Sequence, residues 1–205
     1  MYDPSLVPWG EVGNAVYKRT YSRELENGKT EEWEDTVDRV IDSCREQLNV
    51  GFEKHEEAEL KEIMMELKGT VAGRFLWQLG TKTVDRLGLP SLQNCAFVVV
   101  DDPIRPFTWA FEMLMLGSGV GFNIQRENVY QLPKVKNRVK VERVDENDAD
   151  FIVPDSREGW VELLRRVLEA SLVTGEDFTY AAHLIRSKGS AIKGFGGTAS
   201  GPEDL

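Results

Sequence analysis

The stretch that most constrains the fold of this chain runs over residues 91–121, SLQNCAFVVVDDPIRPFTWAFEMLMLGSGVG. It places Cys95 before a short apolar run, residues 96–100, and an acidic turn then leads into a longer apolar segment, residues 107–116. The short run predicts a buried strand and the longer one a helix, which ends in a glycine turn at residues 117–121. A strand, a loop and a helix, with a thiol at the start of the strand, are typical of one corner of an α/β active site.

The composition predicts an acidic protein of the cytoplasm and argues against several partners. With 25 Lys and Arg against 35 Asp and Glu in 205 residues, the formal net charge is −10, which disfavours binding to a nucleic-acid backbone. The two cysteines give no disulfide framework, as expected in a reducing compartment. The N-terminus has no signal-peptide pattern and no apolar run approaches the length of a membrane span, so we expect no membrane partner.

The first part of the chain, residues 1–90, is predicted to be mainly helical. Apolar residues recur at helical spacing across residues 33–48 and again across residues 56–68. By contrast, residues 16–22 (VYKRTYS) are rich in β-prone types and predict a strand.

The second part, residues 91–205, is predicted to mix helices and strands. A strand is predicted at residues 122–125, and the partial alternation of residues 130–144 predicts an exposed hairpin or edge ribbon. Asp155 is predicted to cap the helix that follows it, and a further strand is predicted at residues 178–185. A glycine-rich loop without a predicted regular element comes last.

Cys95 is the candidate for a nucleophilic or redox-active thiol. A strand cysteine is more often a structural residue, and Cys44, on the apolar stripe of a helix, is interpreted as a core residue. The polar Asn94 before Cys95 instead fits a site at the edge of the core. Redox chemistry by a thiol needs a second sulfur, so the partner of a reactive Cys95 is expected outside this chain. His55 and His183 have no other ligand types at metal-binding spacing, so we predict no metal site.

Two glycine-rich segments leave alternatives open. The turn at residues 117–121 follows a helix, so it lacks the geometry of a dinucleotide fingerprint; a plain helix C-cap and a close approach of backbone to a flat ligand fit equally well. The segment GFGGTASG, residues 194–201, is not a phosphate-binding P-loop, because it contains no GK[ST]. Its glycines and hydroxyls can wrap a nucleotide, or the segment can be a disordered tail.

Six short motifs occur in order along the chain: RTYSR (19–23), GRFLWQLGT (73–81), SLQNCAF (91–97), GSGVGFNIQREN (117–128), PDSREGW (154–160) and KGFGGTASGP (193–202). Together they resemble the N-terminal part of the adenosylcobalamin-dependent ribonucleoside-triphosphate reductases, the monomeric class II ribonucleotide reductases. The di-iron class I large subunit shares the cysteine, the glycine turn and the final loop, but RTYSR and PDSREGW are more similar to class II. The resemblance covers nearly the whole chain.

The resemblance implies an α/β fold, in which a helical N-terminal layer precedes the opening strands and helices of a ten-stranded α/β barrel that is incomplete in this chain. It implies that Cys95 is a redox cysteine beside the ribose and that Asn94, Ser118 and Gly119 bind the substrate. Residues 129–153 fall on the segment that serves the effector site in the monomeric enzymes. The effector-sensing specificity loop falls on Lys193, Gly194, Phe195, Gly196, Gly197, Thr198, Ala199, Ser200 and Gly201.

By the same resemblance, the complete enzyme reduces ribonucleoside triphosphates to 2′-deoxyribonucleoside triphosphates by a thiyl-radical mechanism. Adenosylcobalamin bound mostly by the missing part, Mg²⁺ with the nucleotide, a dNTP effector and a thioredoxin-like reductant are implied. The radical cysteine and the second redox cysteine belong to the remaining C-terminal part, so this chain is expected to be inactive alone. Two alternatives stay open: a nucleotide-binding module that senses dNTPs, and an inactive fragment without catalysis.

Overall fold

The computed structural model describes residues 9–25, 27–136, 138–145, 147–192 and 197–203. The chain forms two compact units, Met1–Gln93 and Asn94–Leu205. Helices build the first unit, and two parallel sheets lie in the second. Within the described ranges, no helix is both long enough and apolar enough to cross a membrane.

The first unit consists of helices, and the two predicted from apolar spacing lie close to their predicted positions. They are α1 (Gly10–Thr20), α2 (Trp33–Glu46), α3 (Lys54–Met65), α4 (Gly73–Gln78) and α5 (Lys82–Leu87), with a short 3₁₀ helix at Leu89–Leu92. Glu32 and Glu53 open α2 and α3 with capping boxes, in which each side chain accepts from a first-turn N–H. The two helices predicted from apolar spacing are confirmed.

The strand predicted at residues 16–22 is wrong, because most of this segment lies in α1. Tyr17 is 3% exposed and packs against Trp9 and Trp33, whose ring centroids lie 5.2 and 5.7 Å from its own. Its hydroxyl also shares a hydrogen bond of 2.7 Å with Thr36 Oγ1. These contacts with residues distant in sequence favour the helix over the local β propensity.

A buried ion pair joins α2 to the segment before it and to α4. Glu31 is 2% exposed, and its carboxylate accepts from Arg39 Nε at 2.6 Å, from Arg39 Nη2 at 3.0 Å and from Thr36 Oγ1 at 2.7 Å. Arg39 also donates to the carbonyl oxygens of Leu76, at 2.9 Å, and of Leu79. Burial alone would raise the pKa of Glu31, but the hydrogen bonds from Arg39 and Thr36 hold that pKa below its ordinary value.

The second unit opens with a strand, a helix and a second strand. These are β1 (Cys95–Val99), α6 (Arg105–Met115) and β2 (Gly119–Asn123), and the two strands pair in parallel with Cys95 opposite Gly119. Asp102 Oδ1 accepts from the N–H of Ile104 at 2.9 Å and of Arg105 at 2.7 Å, so the acidic turn directs the chain into α6. The strand and the helix predicted after Cys95 are confirmed, but the predicted burial of the strand is wrong, because Phe97 and Val99 are exposed.

The glycine turn is shorter than predicted. Gly117, at φ +80°, closes α6 by donating its N–H to Leu114 O at 2.8 Å, which is the helix C-cap alternative. Gly119 and Gly121 belong to β2, which therefore begins before the predicted residue 122. The prediction of a turn over these two glycines is wrong, because their backbone continues the parallel pairing with β1.

The second sheet has three parallel strands in the order β3–β5–β4. The elements are α7 (Arg126–Val129), β3 (Val141–Arg143), β4 (Phe151–Ile152), α8 (Arg157–Glu169) and β5 (Phe178–Ala181), and a π-helical turn, Ala170–Thr174, continues α8. Of the two alternatives predicted for residues 130–144, the hairpin is wrong, because β3 pairs with β5 in parallel, whereas the edge position is confirmed for β3. Val139 and Val141 pack against a buried cluster that contains Phe178, and this distant contact fixes the pairing.

The start of α8 differs from the prediction by one residue. The side chain of Ser156 caps the helix, since its Oγ accepts from Gly159 N at 3.0 Å. Asp155 instead accepts from Arg186 Nε through both carboxylate oxygens, at 3.0 and 2.9 Å. A distant guanidinium thus decides between two neighbouring residues that are equally good caps.

Candidate functional site

Cys95 is exposed and occupies the first position of β1. Strand alternation puts Phe97 and Val99 on the same face, where they are 65% and 36% exposed. Ala96 and Val98 point to the opposite face and are partly buried. The thiol therefore stands on an open face of the sheet, and the rigid strand sets its position.

At its first and third positions, the neighbouring strand presents backbone instead of side chains to this face. Gly119 lies opposite Cys95, and Gly121 lies opposite Phe97. Apart from its chain neighbours, a Cβ added to Gly119 would meet only Asn94 O, at 3.8 Å, so the space beside the thiol is open. A Cβ added to Gly121 would lie 3.0 Å from the phenyl ring of Phe97, which covers that glycine. The result is a backbone-floored groove with the thiol at one end and an aromatic ring at the other, and we call it the Cys95 groove.

Asn94 and Ser118 border the start of the Cys95 groove. Asn94 O accepts from Gly119 N at 2.8 Å, which extends the pairing of β1 and β2 by one step. Ser118 is 3% exposed, and its N–H donates to Met113 O at 3.0 Å. The structure therefore brings Asn94, Cys95, Ser118 and Gly119 together at the start of two parallel strands; that these residues bind substrate stays a prediction.

The predicted specificity loop is described in part. Lys193, Gly194, Phe195 and Gly196 lie outside the described residues, whereas Gly197, Thr198, Ala199, Ser200 and Gly201 are described. The described part pairs with the segment before it: Ile192 N donates to Gly197 O at 3.1 Å, Ala199 N to Ser190 O at 2.8 Å, and Gly189 N to Ala199 O at 2.9 Å. We call residues 189–192 and 197–201 the glycine ladder. Its role in effector binding stays a prediction.

The second cysteine has the character of a core residue. Cys44 lies on α2 and packs against the hydrophobic core of the first unit, and burial raises the pKa of its thiol. Both cysteines are free. In the part of the chain that the structure describes, no group of three or more His, Cys, Asp or Glu side chains is arranged to hold a metal ion.

Phe97 is the residue of the Cys95 groove that sequence reasoning missed. It lies two residues after Cys95, and the period-2 alternation of a strand places both side chains on one face. That alternation was obscured because residues 96–100 are all apolar, which predicts a strand buried on both faces.

The Cys95 groove is suited to a flat ligand beside a nucleophilic sulfur. Its floor offers a close approach at Gly119, which lacks a side chain, and the ring of Phe97, which covers Gly121, offers an apolar wall. An accessible thiol can act as a reductant, but only together with a second sulfur that takes up the resulting disulfide.

Two protein families match the sequence. Residues 2–81 match the family described as "Ribonucleotide reductase alpha domain". Residues 127–205 match the family described as "B12-dependent ribonucleotide reductase, insertion domain". The two matches together span most of the chain.

Individual relatives agree with the family matches. The adenosylcobalamin-dependent ribonucleoside-triphosphate reductase of Euglena gracilis is 34% identical, over 99% of this chain and 31% of its own length. The protein of the same name from Lactobacillus leichmannii is 35% identical, over 96% of this chain and 34% of its own length. The chain thus spans about a third of the length of these relatives.

A solved structure has a similar fold. The crystal structure of a B12-dependent (class II) ribonucleotide reductase matches with a TM-score of 0.78 and 30% identity, over 95% of this chain and 35% of that chain. The predicted α/β fold, in which a helical layer precedes partial sheets of an incomplete barrel, is confirmed.

Proposed function

The chain belongs to the ribonucleotide reductase family, as an N-terminal part of the B12-dependent class, and from this premise we propose that it contributes one reducing thiol, Cys95, to a ribonucleoside-triphosphate reductase. The product is the 2′-deoxyribonucleoside triphosphate. Because the chain spans about a third of its relatives, the catalytic unit is proposed to include polypeptide that corresponds to their remaining length.

The observation that carries this proposal is the open space between an exposed thiol and a glycine. A ribose has to come within contact distance of the sulfur that reduces it, and any side chain opposite Cys95 would occupy that position. Gly119 leaves the position free, and the nearest atom that an added Cβ would meet is a backbone oxygen at 3.8 Å. Phe97, on the same face, supports an orientation with the nucleoside lying along the backbone floor.

The electron balance defines what Cys95 can and cannot do. Replacing the 2′-hydroxyl by hydrogen consumes two electrons and two protons, and two thiols supply them by forming a disulfide while the hydroxyl leaves as water. Cys95 is one of these thiols in the proposal, and the second comes from the remaining polypeptide. A thioredoxin-like reductant then restores both thiols, and the radical that starts the reaction is proposed to form on a further cysteine of that polypeptide.

The residues around Cys95 do not by themselves fit a cofactor as large as adenosylcobalamin. Such a cofactor needs an enclosed pocket, whereas Phe97 and Val99 are exposed beside the thiol and the sheet face is open. We therefore assign no residue of this chain to cobalamin, and its binding is proposed to fall to the remaining polypeptide. Mg²⁺ is proposed to accompany the triphosphate.

Residues 193–201, of which 197–201 belong to the glycine ladder, are proposed as the loop that senses a dNTP effector, and residues 129–153 as part of the effector region. The net charge of −10 supports a partner set without nucleic acid, and we propose the cytoplasm as the compartment.

Reconstitution tests the proposed function. The chain is combined with a polypeptide covering the remaining length of a relative, and formation of dNTP from ribonucleoside triphosphate is followed with adenosylcobalamin, Mg²⁺ and a dithiol reductant. We expect turnover with the wild-type chain, none with either part alone, and loss of multiple turnover in Cys95→Ser. Cys44→Ser is the matched control and should retain activity, since its sulfur packs against a core.

The outcomes separate the proposal from its alternatives. Multiple turnover in Cys95→Ser would overturn the role given to this thiol. Tight dNTP binding by the chain alone in calorimetry, with no turnover after reconstitution, would instead favour a dNTP-sensing module. If the chain shows no dNTP binding and the reconstituted mixture shows no turnover, the inactive fragment is favoured.

A further inference from the structure

One ion pair contacts the chain both before and after the glycine ladder. Arg143, at the end of β3, pairs with Asp145 through Nε, at 3.1 Å from Oδ1 and 3.0 Å from Oδ2. Asp145 Oδ1 also accepts from Ala182 N at 2.9 Å, directly after β5. Arg143 Nη1 donates to Pro202 O at 2.6 Å, directly after the glycine ladder. The two side chains therefore hydrogen-bond to the chain before the glycine ladder, at Ala182, and after it, at Pro202.

The hydrogen-bond chemistry of this pair is directional. The carboxylate is the only one of the two groups that can accept from Ala182 N–H, and the guanidinium the only one that can donate to Pro202 O. The hydrogen bonds from Arg143 and from Ala182 N–H lower the pKa of Asp145, so it stays ionised at neutral pH. Each residue thus has a task that its partner cannot perform.

The last residue of the glycine ladder, Gly201, is closely packed against neighbouring backbone. Gly201 is buried at φ +85°, and a Cβ added there would lie 2.9 Å from Lys188 N. The bond from Arg143 to Pro202 O fixes the chain one residue after this contact. Displacing Pro202 would therefore move Gly201 and the strand of the ladder that precedes it.

We infer that Arg143 and Asp145 are positioning residues that fix the geometry of the glycine ladder, and through it the coupling between a dNTP effector and the choice of substrate base. The coupling to base choice rests on the proposed function. The fixation of the ladder does not, because it follows from the hydrogen bonds alone.

Hydrogen exchange on the whole 205-residue chain tests the fixation. In Arg143→Met and in Asp145→Ala, we expect the amides of Gly189 and Ala199, which close the ladder, to exchange about threefold to tenfold faster than in the wild type. The matched control is Arg165→Met, because Arg165 makes a similarly exposed two-bond pair with Glu162, at 2.8 and 2.9 Å, on α8. Its exchange at these two amides should equal that of the wild type.

The charge-swapped variant Arg143→Asp/Asp145→Arg separates directed hydrogen bonds from simple charge attraction. It keeps one charge of each sign but loses the acceptor for Ala182 and the donor for Pro202, so exchange should stay fast. Wild-type exchange in the swapped variant, or in Arg143→Met, would overturn the inference.

The reconstituted enzyme tests the consequence for base choice. We expect Arg143→Met to reduce the effector-dependent change in substrate preference, measured as the ratio of products formed from two competing ribonucleoside triphosphates. An unchanged effector response alongside fast exchange would overturn the coupling to base choice. This result is distinct from failure of the proposed function, in which the wild-type reconstitution itself shows no turnover.

Discussion

The substitution Arg39→Met in the first unit gives a quantitative test of the structure. It removes the guanidinium that donates to Glu31 at 2.6 and 3.0 Å, and it leaves the carbonyl oxygen of Leu76 without the bond that it receives at 2.9 Å. Glu31 is 2% exposed, so the variant buries a carboxylate whose main partner is gone. Breaking one side of a buried pair costs about 3–5 kcal/mol. Because the Arg39 side chain is 14% exposed, we expect a loss in the free energy of unfolding near the lower end, about 3 kcal/mol.

The assay is urea unfolding at neutral pH, followed by tryptophan fluorescence. Trp33 is a suitable probe because it is 2% exposed and its Nε1–H donates to Met64 O at 3.1 Å. The control is Arg45→Met on the same helix, whose pair with Glu57 leaves the arginine side chain 50% exposed and should contribute less than about 1 kcal/mol. The double variant Glu31→Gln/Arg39→Met should recover part of the loss, since no charge is then buried.

The stability difference between Arg39→Met and the wild type should also depend on pH, in a direction set by the pKa of Glu31. In the wild type the pKa of Glu31 is lower in the folded state than in the unfolded chain. Its contribution to stability is therefore complete above the unfolded pKa of about 4.3, and it is lost as the pH falls through the folded pKa. In Arg39→Met the buried carboxyl favours its protonated form, so the difference between variant and wild type should narrow below about pH 5. A loss within about 1 kcal/mol of the Arg45→Met control, or a difference that does not change with pH, would refute the reasoning.

Two glycine substitutions test the helix cap and the groove. Gly159→Ala should lower the melting temperature, because the added Cβ would lie 2.5 Å from Pro154 O and 2.9 Å from Pro154 Cδ. Overpacking of this kind costs about 1–3 kcal/mol. An unchanged melting temperature would contradict the close packing of Gly159 against Pro154. Gly119→Ala should leave thermal stability nearly unchanged, because its Cβ meets only Asn94 O at 3.8 Å, yet it should raise KM or lower kcat of the reconstituted enzyme about tenfold. Gly51→Ala, with nothing within 4 Å of the added Cβ, is the control, and equal activity of both variants would argue against substrate in the groove.

The elements predicted correctly are those whose signal is local. The apolar stripe of α2 and the apolar run of α6 each predict a helix from spacing alone, and both are present. The errors occur where a distant residue decides. The aromatic packing of Tyr17 on Trp33 overrides the β-prone residues of α1, and the register of Val141 with Phe178 overrides the hairpin pattern.

In the candidate site, too, local features could be predicted from the sequence, whereas features that depend on distant residues could not. The polar Asn94 before Cys95 fits a site at the edge of the core, and the structure shows that Cys95 is exposed. The floor of the Cys95 groove could not be predicted from one strand, because it depends on the pairing of Cys95 with Gly119 and of Phe97 with Gly121. Likewise, the hydrogen bond from Arg143 to Pro202 O joins residues that are far apart in the sequence, so no local pattern predicts it.

The position of Cys95 also explains why a reductase would keep this thiol on a strand. A sulfur that must meet a sugar on one side and a second sulfur on the other has to be held within a fraction of an ångström of its working position. The backbone of β1 is fixed by parallel pairing with β2, so the thiol moves with the sheet and not with a loop. The face around it is open and partly apolar, with Phe97 65% exposed, and parallel sheets are normally covered on both faces. The open face that is proposed to admit a ribose therefore also has apolar surface for further polypeptide to cover, and in the proposal that polypeptide carries the second sulfur.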